Sequence, residues 1–199
     1  SENIDLNPDY HLVHATHLTQ NEIESIAKSQ ANVVLCPSTE GNLGDGIFPL
    51  NEFLKHGGKW SIGTDSHVGL NPFEELRILD YCQRLISHNR NTFGNNISGD
   101  NGNIAISSAL VNGRKAMGIE QTHYFEVGKS FDALIISDQH PLIQTVSLKN
   151  LTNTLVYSSD NSIYKGTIVN GDWKIKDGQH ADDNIHADFI QTLNALKVR

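Results

Sequence analysis

An α/β fold with parallel strands is what this sequence predicts, and three observations predict it. Short apolar runs at residues 12–16, 32–36 and 60–64 alternate with helical patterns, the strand, helix, strand order of a parallel sheet or barrel. Each run is apolar almost throughout, as strands buried on both faces are. Each also ends in polar residues: His14 and His17 after the first, Cys36, Ser38 and Thr39 after the second, Asp65, Ser66 and His67 after the third. In parallel folds those carboxyl ends are where sites assemble.

The elements follow in order. After the first strand, Thr19 with Glu22 three residues later reads as a capping box that starts a helix running to about Ser29. The second strand is stopped by Pro37, and Gly41, Gly44 and Gly46 predict a long loop. A helix near 50–56 ends at Gly57 and Gly58 ahead of the third strand. Asn71 as cap, Pro72 at the first helical position and Glu74 open the next helix, where Phe73, Leu76, Leu79, Tyr81 and Leu85 recur at near-helical spacing. Residues 91–103 are polar and read as a surface loop before a helix over 104–117. The character then changes: 131–136, 155–157 and 162–169 read as short strands, with a tight turn at Asn170, Gly171 and Asp172. Ile185, Phe189, Leu193 and Leu196 mark a closing amphipathic helix. Three strand-helix units are too few to close an eight-stranded barrel. Their fully buried character still suits barrel strands, so the expectation is a barrel present only in part, with which an opening Ser1 in place of Met agrees.

Composition narrows the function. Of 199 residues, 15 are Lys or Arg against 23 Asp or Glu, and the net charge of −8 argues against a nucleic-acid partner. Two cysteines make no disulfide framework, no apolar run nears the roughly 18 residues of a membrane span, and no export signal opens the chain. The expectation is a soluble protein of the cytoplasm.

Ten histidines raise the question of metal or proton chemistry. His14 and Asp65, at two strand ends, can converge, and imidazole with carboxylate suits a zinc-activated water. Each has a plainer reading, His14 as a hydrogen-bonded structural residue and Asp65 as a turn or cap. Cys36 reads as a small buried hydrophobe, and His11, His56, His88, His123, His140, His180 and His186 as solvated or locally bonded. The loop of 41–46 lacks the spacing of a phosphate cradle.

Three ordered motifs then resemble the later half of an amidohydrolase-superfamily deaminase. They are Leu-Val-His-Ala-Thr-His-Leu-Thr at 12–19, Leu-Cys-Pro-Ser-Thr-Glu-Gly-Asn-Leu-Gly-Asp-Gly at 35–46, and Gly-Thr-Asp-Ser-His at 63–67 followed by Asn-Pro-Phe-Glu-Glu-Leu-Arg at 71–77. Residues 126–136 are similar to the segment that returns such chains to a small β-sandwich. Within the superfamily the wording is closest to the formimidoylglutamate deiminases of histidine degradation.

The resemblance implies that residues 1–118 are the later part of a (β/α)8 TIM-like barrel, strands six to eight with their helices. It makes 119–178 part of the sandwich and 179–199 a terminal helix. It implies a hydrolase that deiminates N-formimino-L-glutamate to N-formyl-L-glutamate and ammonia. Asp65 is implied as a zinc ligand and proton carrier, His14 as the strand-six histidine that polarises the reacting water or substrate, and His67 as a substrate contact. The family's other zinc ligands, an HxH pair and a strand-five His followed by the catalytic Glu, have no counterpart here. An upstream barrel segment is therefore an expected partner beside the small-molecule substrate, and the isolated chain is expected to be inactive. A homodimer is compatible with the resemblance. Purine-type deaminases share the histidine and Gly-Thr-Asp strands but usually carry Asn-Leu-Lys wording where this chain has 40–45. A non-catalytic fragment is the reading of a different class.

Overall fold

A computed structural model describes residues 4–94, 99–119 and 125–197. Residues 95–98 of the expected surface loop, and His123, lie outside the described residues. The chain divides into two compact units, one of residues 4–119 with Val146–Asp160, the other of 125–145 with 161–197.

The first unit is built on a three-stranded parallel sheet in the order β1 (His11–Val13), β2 (Asn32–Leu35), β3 (Lys59–Ile62). The register sets Leu12 beside Val33 and Val33 beside Trp60. Central β2 is the most buried: Asn32, Val33 and Leu35 are all shielded, and the Asn32 side chain donates from Nδ2 to Ser61 Oγ at 2.9 Å.

Helix α1 (Gln20–Ser29) starts on the predicted capping box. Glu22 N donates to Thr19 Oγ1, and Thr19 N donates to Glu22 Oε2 at 2.8 Å, so two amide donors of the first turn are satisfied. The chain after β2 differs from the expected loop. Pro37 opens α2 (Pro37–Leu43), because its fixed φ and missing N–H suit the first helical position, and Gly44 closes it at φ 73°. Helix α3 (Leu50–Lys55) buries Leu50 and Phe53. Gly58 is required there, since a Cβ would enter the Phe53 ring.

In α4 (Pro72–Ser87), Asn71 Oδ1 accepts from Phe73 N at 3.0 Å, and Phe73, Leu76 and Leu79 face the core. Tyr81 and Leu85 do not share that burial; they are exposed, correcting the sequence reading of the stripe. Helix α5 (Asn101–Ala116) begins earlier than expected, where Asp100 Oδ1 accepts from Asn103 N.

The second unit holds an antiparallel sheet of β4 (Ala133–Ile136), β5 (Tyr164–Val169), β6 (Asp172–Lys176) and β7 (Gln179–His180), in that order. The predicted turn joins β5 to β6, with Asn170 and Gly171 both at positive φ. A short α6 (Pro141–Thr145) follows β4.

Residues 155–157 are not a strand. They lie in α7 (Leu151–Ser158), which belongs to the first unit, where Leu155 and Val156 are buried and Tyr157 donates to Asp80 Oδ2 at 2.7 Å. Three consecutive apolar residues carry no period of their own, so the helix is decided by what its flanks pack against. Arg84 pairs with the same Asp80 at 2.5 Å and lies 4.9 Å from the Tyr157 ring centre. The terminal helix α8 (Ile185–Leu196) forms but starts later than the expected 179, because Gln179 and His180 pair with β6 as β7, and Phe189 and Leu193 on its apolar face are exposed. No helix among the described residues is long and apolar enough to cross a membrane.

Candidate active site

The three strand ends of the first unit meet. His14 follows β1 directly, Cys36 follows β2 directly, and Asp65 stands three residues beyond β3. The ladder continues just past the strands, with His14 N donating to Val34 O and Gly63 N to Leu35 O, both at 2.9 Å, so sheet bonds hold His14 and the start of the turn that leads to Asp65. One ligand atom each from His14, Cys36 and Asp65 lies within 4.8 Å of the others.

The backbone here is unusual. His14, Ala15, Asp65 and His67 all have positive φ, at 66°, 51°, 45° and 56°. Non-glycine residues pay for that conformation, and its concentration at the carboxyl end of one sheet is the pattern of a functional site.

His14 lies between two carboxylates. Its Nε2 is 3.4 Å from Asp65 Oδ2 and its Nδ1 is 3.3 Å from Glu40 Oε1. Glu40 is almost fully buried and also accepts the Cys36 N–H at 2.8 Å. Burial pushes the Glu40 carboxyl above the usual range, while the Cys36 amide and His14 act in the opposite direction. The Cys36 thiol is pushed up to about 11 by burial and then by the charges of Glu40, Asp65 and Glu75.

Ser38 and Thr39 of α2, with Thr16 after β1, tie the site to its surroundings. Ser38 donates from its N at 3.0 Å and from its hydroxyl to the buried Glu75 carboxylate of α4. Thr39 Oγ1 is 2.9 Å from Ser66 Oγ and 3.3 Å from Thr64 O, so it clamps the turn that carries Asp65. Thr16 Oγ1 donates to Asp45 O at 2.6 Å, fixing the chain after His14.

Of the residues marked in the sequence, the structure thus joins His14 and Asp65. His67 lies on the same turn as Asp65, exposed, with its N–H bonded to Thr64 O. Cys36 and Glu40 were not expected at the site. The signal for Glu40 was its position four residues after Cys36, which meets the strand end only if Pro37 starts a helix.

The donor set, imidazole nitrogen with carboxylate oxygen and sulfur, suits zinc, and Asp65 is partly open to receive further ligands. An amidohydrolase family model matches residues 5–174. The chain belongs to the amidohydrolase family.

Among amidohydrolases, a formimidoylglutamate deiminase from Pseudomonas aeruginosa is 37% identical over 196 residues, which covers 98% of this chain and 43% of that protein. The crystal structure of an amidohydrolase from Brucella melitensis matches with a TM-score of 0.83 at 30% identity, over 96% of this chain and 42% of the other. An adenosine deaminase from Xanthomonas campestris, solved with bound zinc, gives a TM-score of 0.80 at 20% identity over 98% and 44%. That last likeness shows the fold alone. The chain spans less than half the length of these amidohydrolases.

Proposed function

We propose that this chain carries the later half of the active site of a zinc-dependent deiminase acting on N-formimino-L-glutamate. In this reading β1, β2 and β3 are strands six to eight of a (β/α)8 barrel, and the β4 to β7 sheet is part of a β-sandwich. The observation that carries it is the meeting of His14 Nε2 and Asp65 Oδ2 at 3.4 Å, from the ends of β1 and β3 on either side of β2, in a chain 37% identical to a formimidoylglutamate deiminase.

Asp65 would hold zinc together with ligands from outside this chain. Zinc supplies the Lewis acidity that makes water nucleophilic near neutral pH. Asp65 takes the proton of the attacking water and passes it to the departing nitrogen of the amidine. His14, 3.4 Å from Asp65, hydrogen-bonds the oxygen that has joined the amidine carbon and supports the tetrahedral centre. Collapse of that centre releases ammonia and leaves the N-formyl group. His67, exposed on the Asp65 turn, contacts the rest of the substrate. The setting proposed is the cytoplasm.

The test is ammonia release by the full-length enzyme from a panel holding N-formimino-L-glutamate, adenosine and guanine. Turnover strongest on N-formimino-L-glutamate is expected. Preference for a purine would overturn the substrate while leaving the reaction class.

A further inference from the structure

We propose that Glu40 is a positioning residue for His14: its buried carboxylate takes the hydrogen on Nδ1 and so presents Nε2 to Asp65 and the reacting atoms. This rests on the reading of His14 given above. A neutral imidazole has one N–H and one bare nitrogen, and the partner of one nitrogen decides the state of the other.

The geometry at Glu40 decides it. Oε1 accepts the Cys36 N–H at 2.8 Å and stands 3.3 Å from His14 Nδ1. As a carboxylate, Glu40 has only acceptors to offer, and its partner on the ring is then an Nδ1–H. The lock has a purpose, because His14 sits on strained backbone at φ 66° with its side chain 34% exposed, where water competes for both ring nitrogens. A buried acceptor is not displaced by water. The plainer role for Glu40, closing the Cys36 amide at the start of α2, accounts for one of its two bonds and leaves the contact with His14 unexplained.

Two measurements on the zinc-loaded full-length enzyme test this. Long-range ¹H–¹⁵N correlation of ¹⁵N-histidine protein should show Nδ1 of His14 protonated; a bare Nδ1 would overturn the proposal. Glu40→Leu should lower kcat roughly 10- to 100-fold with KM little changed, the size typical of groups that orient an active-site histidine. In a His14→Ala background the same substitution should cost nothing further. An equal loss in both backgrounds, or a wild-type kcat for Glu40→Leu, would reduce Glu40 to a helix cap. Should Glu40→Leu fail to fold, the nitrogen spectrum of the wild type still decides. That spectrum is independent of substrate, so an enzyme inactive on N-formimino-L-glutamate would overturn the substrate and not the positioning role.

Discussion

His14 and Asp65 touch each other but are given different work, and single substitutions separate them. In the full-length enzyme, Asp65→Asn should abolish turnover and lower zinc content, because the proposed function gives one carboxylate the work of both ligand and proton carrier. His14→Ala should cost about 10²- to 10⁴-fold in kcat with zinc retained. Ammonia release and metal analysis check both, and loss of zinc in step with His14→Ala would make His14 a ligand instead. Cys36 is the third donor in the cluster. With its thiol pushed up from an ordinary 9.0 to about 11, it stays protonated at pH 8 and should resist iodoacetamide until the protein is unfolded. The sign follows from the raised value: whatever stability the neutral thiol contributes is complete below pH 9.0 and is lost as pH rises through about 11. Rapid labelling of Cys36 itself in the native enzyme at pH 8, located by peptide mapping apart from half-buried Cys82, would contradict this. His14 and Asp65 were legible because a polar residue ending an apolar strand is visible in one dimension. Glu40 was not, since its reach depends on the chain turning into a helix at Pro37.

At the scale of elements, the legible signals were caps and periods. Thr19 with Glu22 and Asn71 with Pro72 set helix starts that the structure keeps. Helix α7 was misread because Leu155, Val156 and Tyr157 fit a short strand equally well; contact with α4 and α5 decides in favour of helix. The α5 to α7 contact depends on Gly102. A Cβ at that position would lie 2.5 Å from the backbone of Thr152 and Asn153, and backbone cannot swing aside as a side-chain tip can. Gly102→Ala should therefore destabilise the protein by about 1–3 kcal/mol, despite alanine's better helix propensity. Urea unfolding measures it, and an unchanged or higher midpoint would show that α7 moves freely away from α5.

For the whole molecule, the candidate site lacks the full complement of ligands that the proposed chemistry uses. One carboxylate of a catalytic zinc's usual three protein ligands does not hold the metal tightly. The 199-residue chain, dialysed after zinc loading, should retain far less than one equivalent, whereas the full-length enzyme should retain one. Stoichiometric zinc in the shorter chain would mean that His14, Cys36 and Asp65 form a closed site by themselves. The exposed apolar face of α8 is another feature that pattern alone misjudged: the spacing of Ile185, Phe189, Leu193 and Leu196 told of a helix with an apolar side, not of what covers it.

The sequence by itself determined the parallel α/β class, the helix caps, the hairpin turn at Asn170 and Gly171, and the two strand-end residues proposed for catalysis. These rest on local rules, such as strand hydrophobicity, capping chemistry and turn geometry, which act within a few residues. Only the tertiary structure decided that α2 and α7 are helices. It also decided that Glu40, Cys36 and Thr39 gather around His14 and the Asp65 turn. Those meetings depend on the register of β1, β2 and β3, which brings Glu40 to His14 across 26 residues and Thr39 to Ser66 across 27. No local pattern in the chain encodes such a distance.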